Sequence, residues 1–162
     1  MRAWVFGDDV DTDVLAPGRH MKLSIEELAR HCLEAVDPSF ASTVRPGDVV
    51  VAGRNFGTGS SREQAPQALK HLGVTALLCV SFAGLFYRNA LNLGLPALVC
   101  PDAKRVRNGD RLQLDFYNAE VVNLDTTERL EFERIPEHLM EMVRDGGLLA
   151  HLEKRLRWRT TS

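Results

Sequence analysis

Residues 49–73, VVVAGRNFGTGSSREQAPQALKHLG, predict a strand, a glycine-rich loop and a helix in immediate succession. Val49–Ala52 is a short apolar run bounded by turn residues, which is typical of a strand buried on both faces. The residues from Ser61 to Leu72 favour a helix, with Glu63 in its first turn and Gly73 as its stop signal. The stretch therefore indicates one strand–loop–helix step of an α/β fold.

The same pattern extends to both sides of this stretch. Apolar runs over residues 75–80 and 96–100 flank a predicted helix over residues 82–93, and the short links between them favour a parallel β-α-β-α-β core. Upstream, residues 2–6 predict a first strand. A capping box of Ser24 and Glu27 then opens an amphipathic helix that is expected to run to Val36, before Asp37-Pro38.

The second half of the chain has a different pattern. Near-alternating apolar and polar residues predict antiparallel strands over 111–116, 120–124 and 129–133, followed by a helix from Pro136 that resumes after two glycines. The fold class is therefore α/β, with a mixed and largely parallel sheet core, flanking helices and added antiparallel strands. We expect a single domain over residues 1–157 and a disordered tail over residues 158–162.

Composition excludes several classes of function. Twenty Lys and Arg against 22 Asp and Glu give a formal charge of -2, which offers no general attraction to nucleic acid or to a membrane surface. Neither a leader sequence nor a membrane span is predicted, so we expect a cytoplasmic protein. The cysteines are scattered and do not have metal-ligand spacing, which indicates buried thiols rather than a metal site: Cys32, Cys79 and Cys100.

The glycine-rich loop is the first candidate site. Ligands bind beyond the carboxyl ends of parallel strands, and backbone N–H groups at a helix start attract carboxylates or phosphates. Arg62 would add a fork suited to a carboxylate. Spacing excludes a Walker A loop, a dinucleotide fingerprint and a nucleophile elbow. The alternative is structural: Ser60 caps the helix and Arg62 pairs with a surface acid.

Two further segments carry candidate residues. Asp9, Asp11 and Asp13 mimic the start of a calcium loop, but Val14 stands where its glycine should be, so turn and capping roles suit them better. Residues 20–22, His20, Met21 and Lys22, lie on a predicted exposed loop, where binding residues are common.

Three motifs in order carry a family resemblance: DVDTDVLAPGR (9–19), GRNFGTGSSREQAP (53–66) and SFAGLFYRNALNLGLP (81–96). With them, residues 3–155 resemble the aconitase swivel-domain family, in particular its free-standing small subunits of isopropylmalate dehydratase type. The resemblance implies a swivelling β/β/α domain and a hydro-lyase of two polypeptides. A large subunit would carry a four-iron four-sulfur cluster, and this chain would bind no cofactor itself.

The resemblance also implies roles for individual residues. Ser60 falls on the catalytic base, Ser61 and Arg62 fall on substrate-binding positions, and Asp13, Gly57 and Gly59 support them. A serine needs its oxyanion stabilised by backbone N–H groups to act as a base. The implied reaction interconverts 2-isopropylmalate and 3-isopropylmalate in leucine biosynthesis.

Two positions depart from the family pattern. Isopropylmalate enzymes commonly have Tyr-Leu-Arg-Thr where this chain has His20-Met21-Lys22-Leu23, and Gln64 replaces a frequent histidine. The substrate therefore stays open among branched malates, including 2,3-dimethylmalate, homoaconitate and citraconate types. A carboxylate-binding module without catalysis is the second hypothesis, and self-association of the isolated chain into a homo-oligomer also stays open.

Overall fold

The computed structural model describes residues 1–161 and contains two sheets. The first is parallel in the order β1–β2–β3–β4, formed by Ala3–Val5, Val49–Ala52, Ala76–Cys79 and Ala97–Val99. The second is antiparallel and consists of β5, β6 and β7, formed by Leu112–Asp115, Glu120–Asn123 and Arg129–Glu131. The predicted α/β class, parallel core and added antiparallel strands are confirmed, but the antiparallel strands form their own sheet instead of extending the parallel one.

Seven α-helices connect and flank the strands within residues 1–161. Three short ones precede β2: α1 (Thr12–Leu15), α2 (Ile25–Ala29) and α3 (Phe40–Thr43). The remaining four are α4 (Gln64–His71), α5 (Gly84–Asn92), α6 (Glu137–Arg144) and α7 (Leu148–Thr161). Short 3₁₀ turns span Gly18–His20 and Ala103–Arg105. No described helix has the length and apolar character needed to cross a membrane.

The parallel sheet is buried on both faces because its side chains alternate between two cores. Val50 and Leu77 face the helices α1–α5, where they pack with side chains such as Leu28 and Leu69. Val49 and Leu78 face the antiparallel sheet and α6, in a core shared with Val121, Leu130 and Met140. The helix layer therefore covers one face of the parallel sheet, and its loops carry the candidate site.

The helix predicted from Ser24 to Val36 is much shorter in the structure. The Ser24 hydroxyl accepts from the Glu27 N–H at 3.2 Å, as the capping box predicts, but α2 ends at Ala29. Leu33 has a φ of 61° and donates its N–H to the Val14 carbonyl at 3.0 Å. The apolar stripe is still largely buried, because successive turns point Cys32 and Leu33 into the core.

Helix α7 includes residues 158–161, where the sequence suggests a disordered tail. An ion pair between Glu153 and Arg157 at 3.9 Å has the i,i+4 spacing that supports an exposed helix. Ser162 lies outside the described residues.

Candidate functional site

The glycine-rich loop and the starts of α1 and α5 enclose a cleft of about 190 Å³, which we call the serine cleft. Its loop wall contains every residue from Gly57 to Arg62, including both serines. The other lining residues come from α1 and α5 and the residue before α5: Thr12, Ala83, Gly84, Leu85, Phe86 and Asn89. One cleft therefore contains the predicted catalytic residue Ser60, the predicted substrate-binding residues Ser61 and Arg62, and the predicted supporting residues Gly57 and Gly59.

The acidic segment at residues 8–13 holds this loop in place. Gly57 donates its N–H to the Val10 carbonyl at 2.7 Å, and Thr12 donates to the Thr58 carbonyl at 2.9 Å. Asp11 caps α1 by accepting from the Val14 N–H at 2.8 Å. Turn and capping roles for these aspartates thus agree with the structure.

Ser60 and Ser61 lie ahead of α4 instead of inside it. The N-cap position of α4 is Glu63, and no side chain caps this helix, so the alternative that Ser60 is a helix cap is wrong. Both serines are exposed, and the hydroxyl of Ser60 has no hydrogen-bond partner among residues 1–161. Within the same residues, the backbone N–H groups of Gly59, Ser60 and Ser61 also donate to no acceptor. The cleft therefore offers unpaired donors beside a free hydroxyl.

Arg62 is fixed by the segment that precedes the 3₁₀ turn. Its Nη1 donates to Asp13 Oδ1 at 2.9 Å and to the Ala16 carbonyl at 3.0 Å. Asp13 Oδ1 also accepts from the Gly18 N–H at 2.8 Å. The hydrogen bonds from Arg62 and then from Gly18 lower the pKa of the Asp13 carboxyl. Because Nη1 is occupied, the Nε–Nη2 edge of the guanidinium remains for a bidentate carboxylate.

The three loop residues do not line the serine cleft. His20 stacks against His31 with ring centroids 3.7 Å apart. Met21 packs against the core between the parallel sheet and the helices α1–α5. Lys22 is exposed. Their loop is nevertheless anchored close to Arg62, since an added Cβ on Gly18 would lie 3.5 Å from Arg62 Nη2.

Sequence reasoning missed seven lining residues of the cleft: Thr12, Thr58, Ala83, Gly84, Leu85, Phe86 and Asn89. Leu85 and Asn89 are separated by one helical turn, so a helical projection of α5 beside the loop could have found them. Arg88, on the same helix, lines a separate cavity of about 720 Å³ with Tyr87 and Glu133.

The cysteines do not suit an iron–sulfur cluster. Cys32, Cys79 and Cys100 are free and buried in the hydrophobic cores. Burial raises the pKa of all of them, to about 11 for Cys100, whereas cluster ligands are thiolates.

Comparison with known proteins gives consistent matches. The family model for the aconitase C-terminal domain matches residues 25–103. The 3-isopropylmalate dehydratase small subunit 1 of Methanopyrus kandleri is 48% identical over 155 residues, 94% of this chain and 91% of that protein. The methanogen homoaconitase small subunit of Methanothermobacter thermautotrophicus is 46% identical over 96% of this chain and 91% of its own length.

One solved structure has almost the same fold as this chain. The crystal structure of 3-isopropylmalate dehydratase from Methanocaldococcus jannaschii superposes with a TM-score of 0.95 at 40% identity, covering 99% of this chain and 96% of that one. The agreement extends over both sheets and the helix layer, because almost the whole of each chain is matched.

Proposed function

Because the chain belongs to the aconitase C-terminal domain family, we propose that it is the small subunit of a hydro-lyase of isopropylmalate dehydratase type. The reaction is the reversible dehydration and rehydration that converts 2-isopropylmalate into 3-isopropylmalate in leucine biosynthesis. The names of its relatives support this assignment, since those sharing 43–48% identity include several 3-isopropylmalate dehydratase small subunits. The observation that carries the proposal is the unpaired Ser60 hydroxyl in a cleft that also holds a fixed arginine.

Ser60 is the base in this proposal. Its alkoxide takes a proton from the substrate carbon next to a carboxylate, a carbon–carbon double bond forms, and the neighbouring carbon loses its hydroxyl group as hydroxide. A proton from solvent converts that hydroxide to water. Rehydration then adds the proton to the carbon that lost the hydroxyl group and adds the hydroxyl group to the carbon that lost the proton. In this proposal the unpaired N–H groups of Gly59, Ser60 and Ser61 stabilise the serine oxyanion. The sequence suggests that the N-terminus of α4 would provide these donors, but α4 begins only at Gln64. In the structure the unpaired donors belong to the loop that precedes it.

Arg62 and Ser61 hold the substrate. The free Nε–Nη2 edge of Arg62 binds one carboxylate, and the contacts of Nη1 with Asp13 and Ala16 keep that edge in position. His20, Met21 and Lys22 would contact the alkyl branch or the second carboxylate after their loop moves toward the cleft. When bound in the assembled enzyme, a four-iron four-sulfur cluster on a large subunit supplies a Lewis acid. We place this enzyme in the cytosol, where its free thiols stay reduced.

A homoaconitate-type substrate is supported by the name of one relative and by the sequence of the loop at residues 20–23. The relative named as a homoaconitase small subunit is 46% identical, and residues 20–23 read His-Met-Lys-Leu. Lys22 could pair with an additional carboxylate as a point charge. The same chemistry on a homoaconitate-type substrate is therefore the alternative.

The test is reconstitution of the purified chain with its large subunit under anaerobic conditions. Ser60→Ala should lower kcat by about 10²–10⁴-fold while assembly is unchanged, because a positioned proton acceptor contributes about that factor. The matched control is Ser61→Ala, which should mainly raise KM. Near-normal turnover by Ser60→Ala would refute the role of Ser60.

The same complex should be assayed with isopropylmalate, homocitrate, citraconate and 2,3-dimethylmalate. Turnover of isopropylmalate above the others is the expected result. Equal failure on all four substrates, with assembly intact, would favour the non-catalytic carboxylate-binding module.

A further inference from the structure

A cluster of two histidines and a glutamate lies outside the serine cleft. His20 ends the 3₁₀ turn after α1, whereas His31 and Glu34 belong to the turns that follow α2. The two imidazole rings stack with an interplanar angle of 13°. Glu34 Oε2 lies 2.7 Å from His31 Nδ1, and Glu34 Oε1 lies 3.7 Å from His20 Nε2. One ligand atom from each residue falls within 4.8 Å of the other two.

This donor set suits a late first-row metal. Two imidazole nitrogens and one carboxylate oxygen form a common ligand set for zinc, with water in the fourth position. Bonds of about 2.0–2.2 Å place tetrahedral ligands about 3.4 Å apart. This spacing lies between the 2.7 Å that separates His31 Nδ1 from Glu34 Oε2 and the 3.7 Å that separates His20 Nε2 from Glu34 Oε1. Shifts of less than about 1 Å and a tilt of the stacked rings would therefore form the site. All three side chains are half-buried and can make such a movement. We propose that His20, His31 and Glu34 form a binding site for a divalent ion of the zinc class.

Arg19 would compete with the metal for this site. Its Nη2 pairs with Glu34 Oε1 at 2.8 Å and its Nε donates to His20 Nε2 at 3.1 Å. The Arg19 side chain is 74% exposed, so it can swing into solvent when a cation arrives. Hydrogen bonds from His31 and then Arg19 lower the pKa of Glu34, which keeps the carboxylate ionised as a metal ligand must be.

A bound ion would tie together two segments that the backbone connects only through α2. The Gly18–His20 turn precedes Met21 and Lys22, and Gly18 is held by Asp13 on its other side. Metal binding would therefore hold His20 beside His31 and oppose the movement of this loop toward the serine cleft. This inference does not depend on the proposed function.

The experiment measures zinc binding by the metal-free chain of residues 1–162, with Zn²⁺ alone as the probe. Competition with a chromogenic chelator and calorimetry should show one ion per chain. His31→Gln and Glu34→Gln should each weaken binding at least about tenfold, a loss that even indirect partners of a metal can cause. His138→Gln, which changes an exposed histidine on α6, should leave the affinity unchanged.

The zinc affinity of Arg19→Gln distinguishes a metal site from a polar network that binds no metal. Removing the competing guanidinium should tighten zinc binding several-fold, while a network that holds no metal would gain no affinity. Far-UV circular dichroism without zinc checks that each variant is folded, and the Arg19→Gln result stands even if His31→Gln does not fold. The proposal is overturned if no stoichiometric binding occurs, or if His31→Gln and Glu34→Gln bind zinc as tightly as the unaltered chain.

Discussion

Replacing Gly57 with alanine tests how the serine cleft is built. Gly57 has a φ of +83°, a conformation that alanine adopts at a cost, and its added Cβ would lie 2.1 Å from the Phe86 ring. That ring cannot move freely, since its centroid lies 5.3 Å from the centroid of Phe56 and 6.3 Å from that of Phe82. The substitution should therefore strain the backbone and displace a core aromatic side chain.

The two costs can be separated by comparison with other glycines. Left-handed backbone costs a residue with a Cβ about 1–2 kcal/mol, and overpacking costs about 1–3 kcal/mol, so Gly57→Ala should lose about 2–5 kcal/mol. Gly109 has a φ of +90° but nothing within 4 Å of an added Cβ, so Gly109→Ala should lose only about 1–2 kcal/mol. Gly7 has neither feature, and Gly7→Ala should stay within about 0.5 kcal/mol of the unaltered chain.

Urea unfolding followed by circular dichroism measures these differences. With a slope of about 2 kcal/mol/M, Gly57→Ala should lower the midpoint by about 1–2.5 M. Phe86→Leu in the Gly57→Ala background should recover part of that loss, with a coupling of about 0.5–3 kcal/mol. Equal losses for Gly57→Ala and Gly109→Ala, with no coupling to Phe86, would show that the ring does not press on Gly57 and would refute the reasoning.

Three further predictions concern charge and thiols. Asp13→Asn should raise the substrate KM about tenfold in the reconstituted enzyme, because a neutral amide holds Arg62 less firmly than a carboxylate; unchanged kinetics would contradict this. NMR titration should give the Asp13 carboxyl a pKa below its ordinary value of 3.8, and a pKa closer to 3.8 in Arg62→Gln, because the hydrogen bonds from Arg62 and Gly18 favour the ionised form. The stability that these hydrogen bonds contribute is lost only as pH falls through the lowered pKa. The three thiols should react with a disulfide reagent at pH 8 only after denaturation, as they are buried and protonated; rapid reaction of the native chain would be inconsistent with their burial.

Local sequence patterns predicted most of the fold because the decisive signals were short-range. The apolar run Val49–Ala52 coincides with β2, since a strand buried on both faces needs no alternation and glycine ends it. The alternating segments of the second half became β5–β7 for the same local reason. Capping chemistry also placed the start of α2 correctly, at Ser24.

Features set by distant contacts could not be predicted from these patterns. The helix expected to reach Val36 ends early because Leu33 bonds to Val14, on a different segment. Asp13 and Arg62 are 49 positions apart, so only the fold brings them together. The start of α4 was also misplaced, because the helical propensity of residues 61–63 is outweighed by the loop contacts that hold Gly57 and Thr58 against the acidic segment.

The pattern of unpaired groups in the serine cleft favours an enzyme that is completed by another chain. Only Nη1 of Arg62 is paired, with Asp13 and Ala16, and the hydroxyl of Ser60 and the nearby backbone donors have no acceptor within residues 1–161. Among residues 1–161, the Ser60 hydroxyl has no hydrogen bond to a histidine, lysine or carboxylate that could take its proton, so this chain alone does not show a conventional serine-activating base. Water can solvate these exposed groups in the isolated chain, but an oxyanion is stabilised strongly only where water is excluded. A second polypeptide that covers the cleft would supply that exclusion, and this is the physical reason to expect activity only from the assembled enzyme.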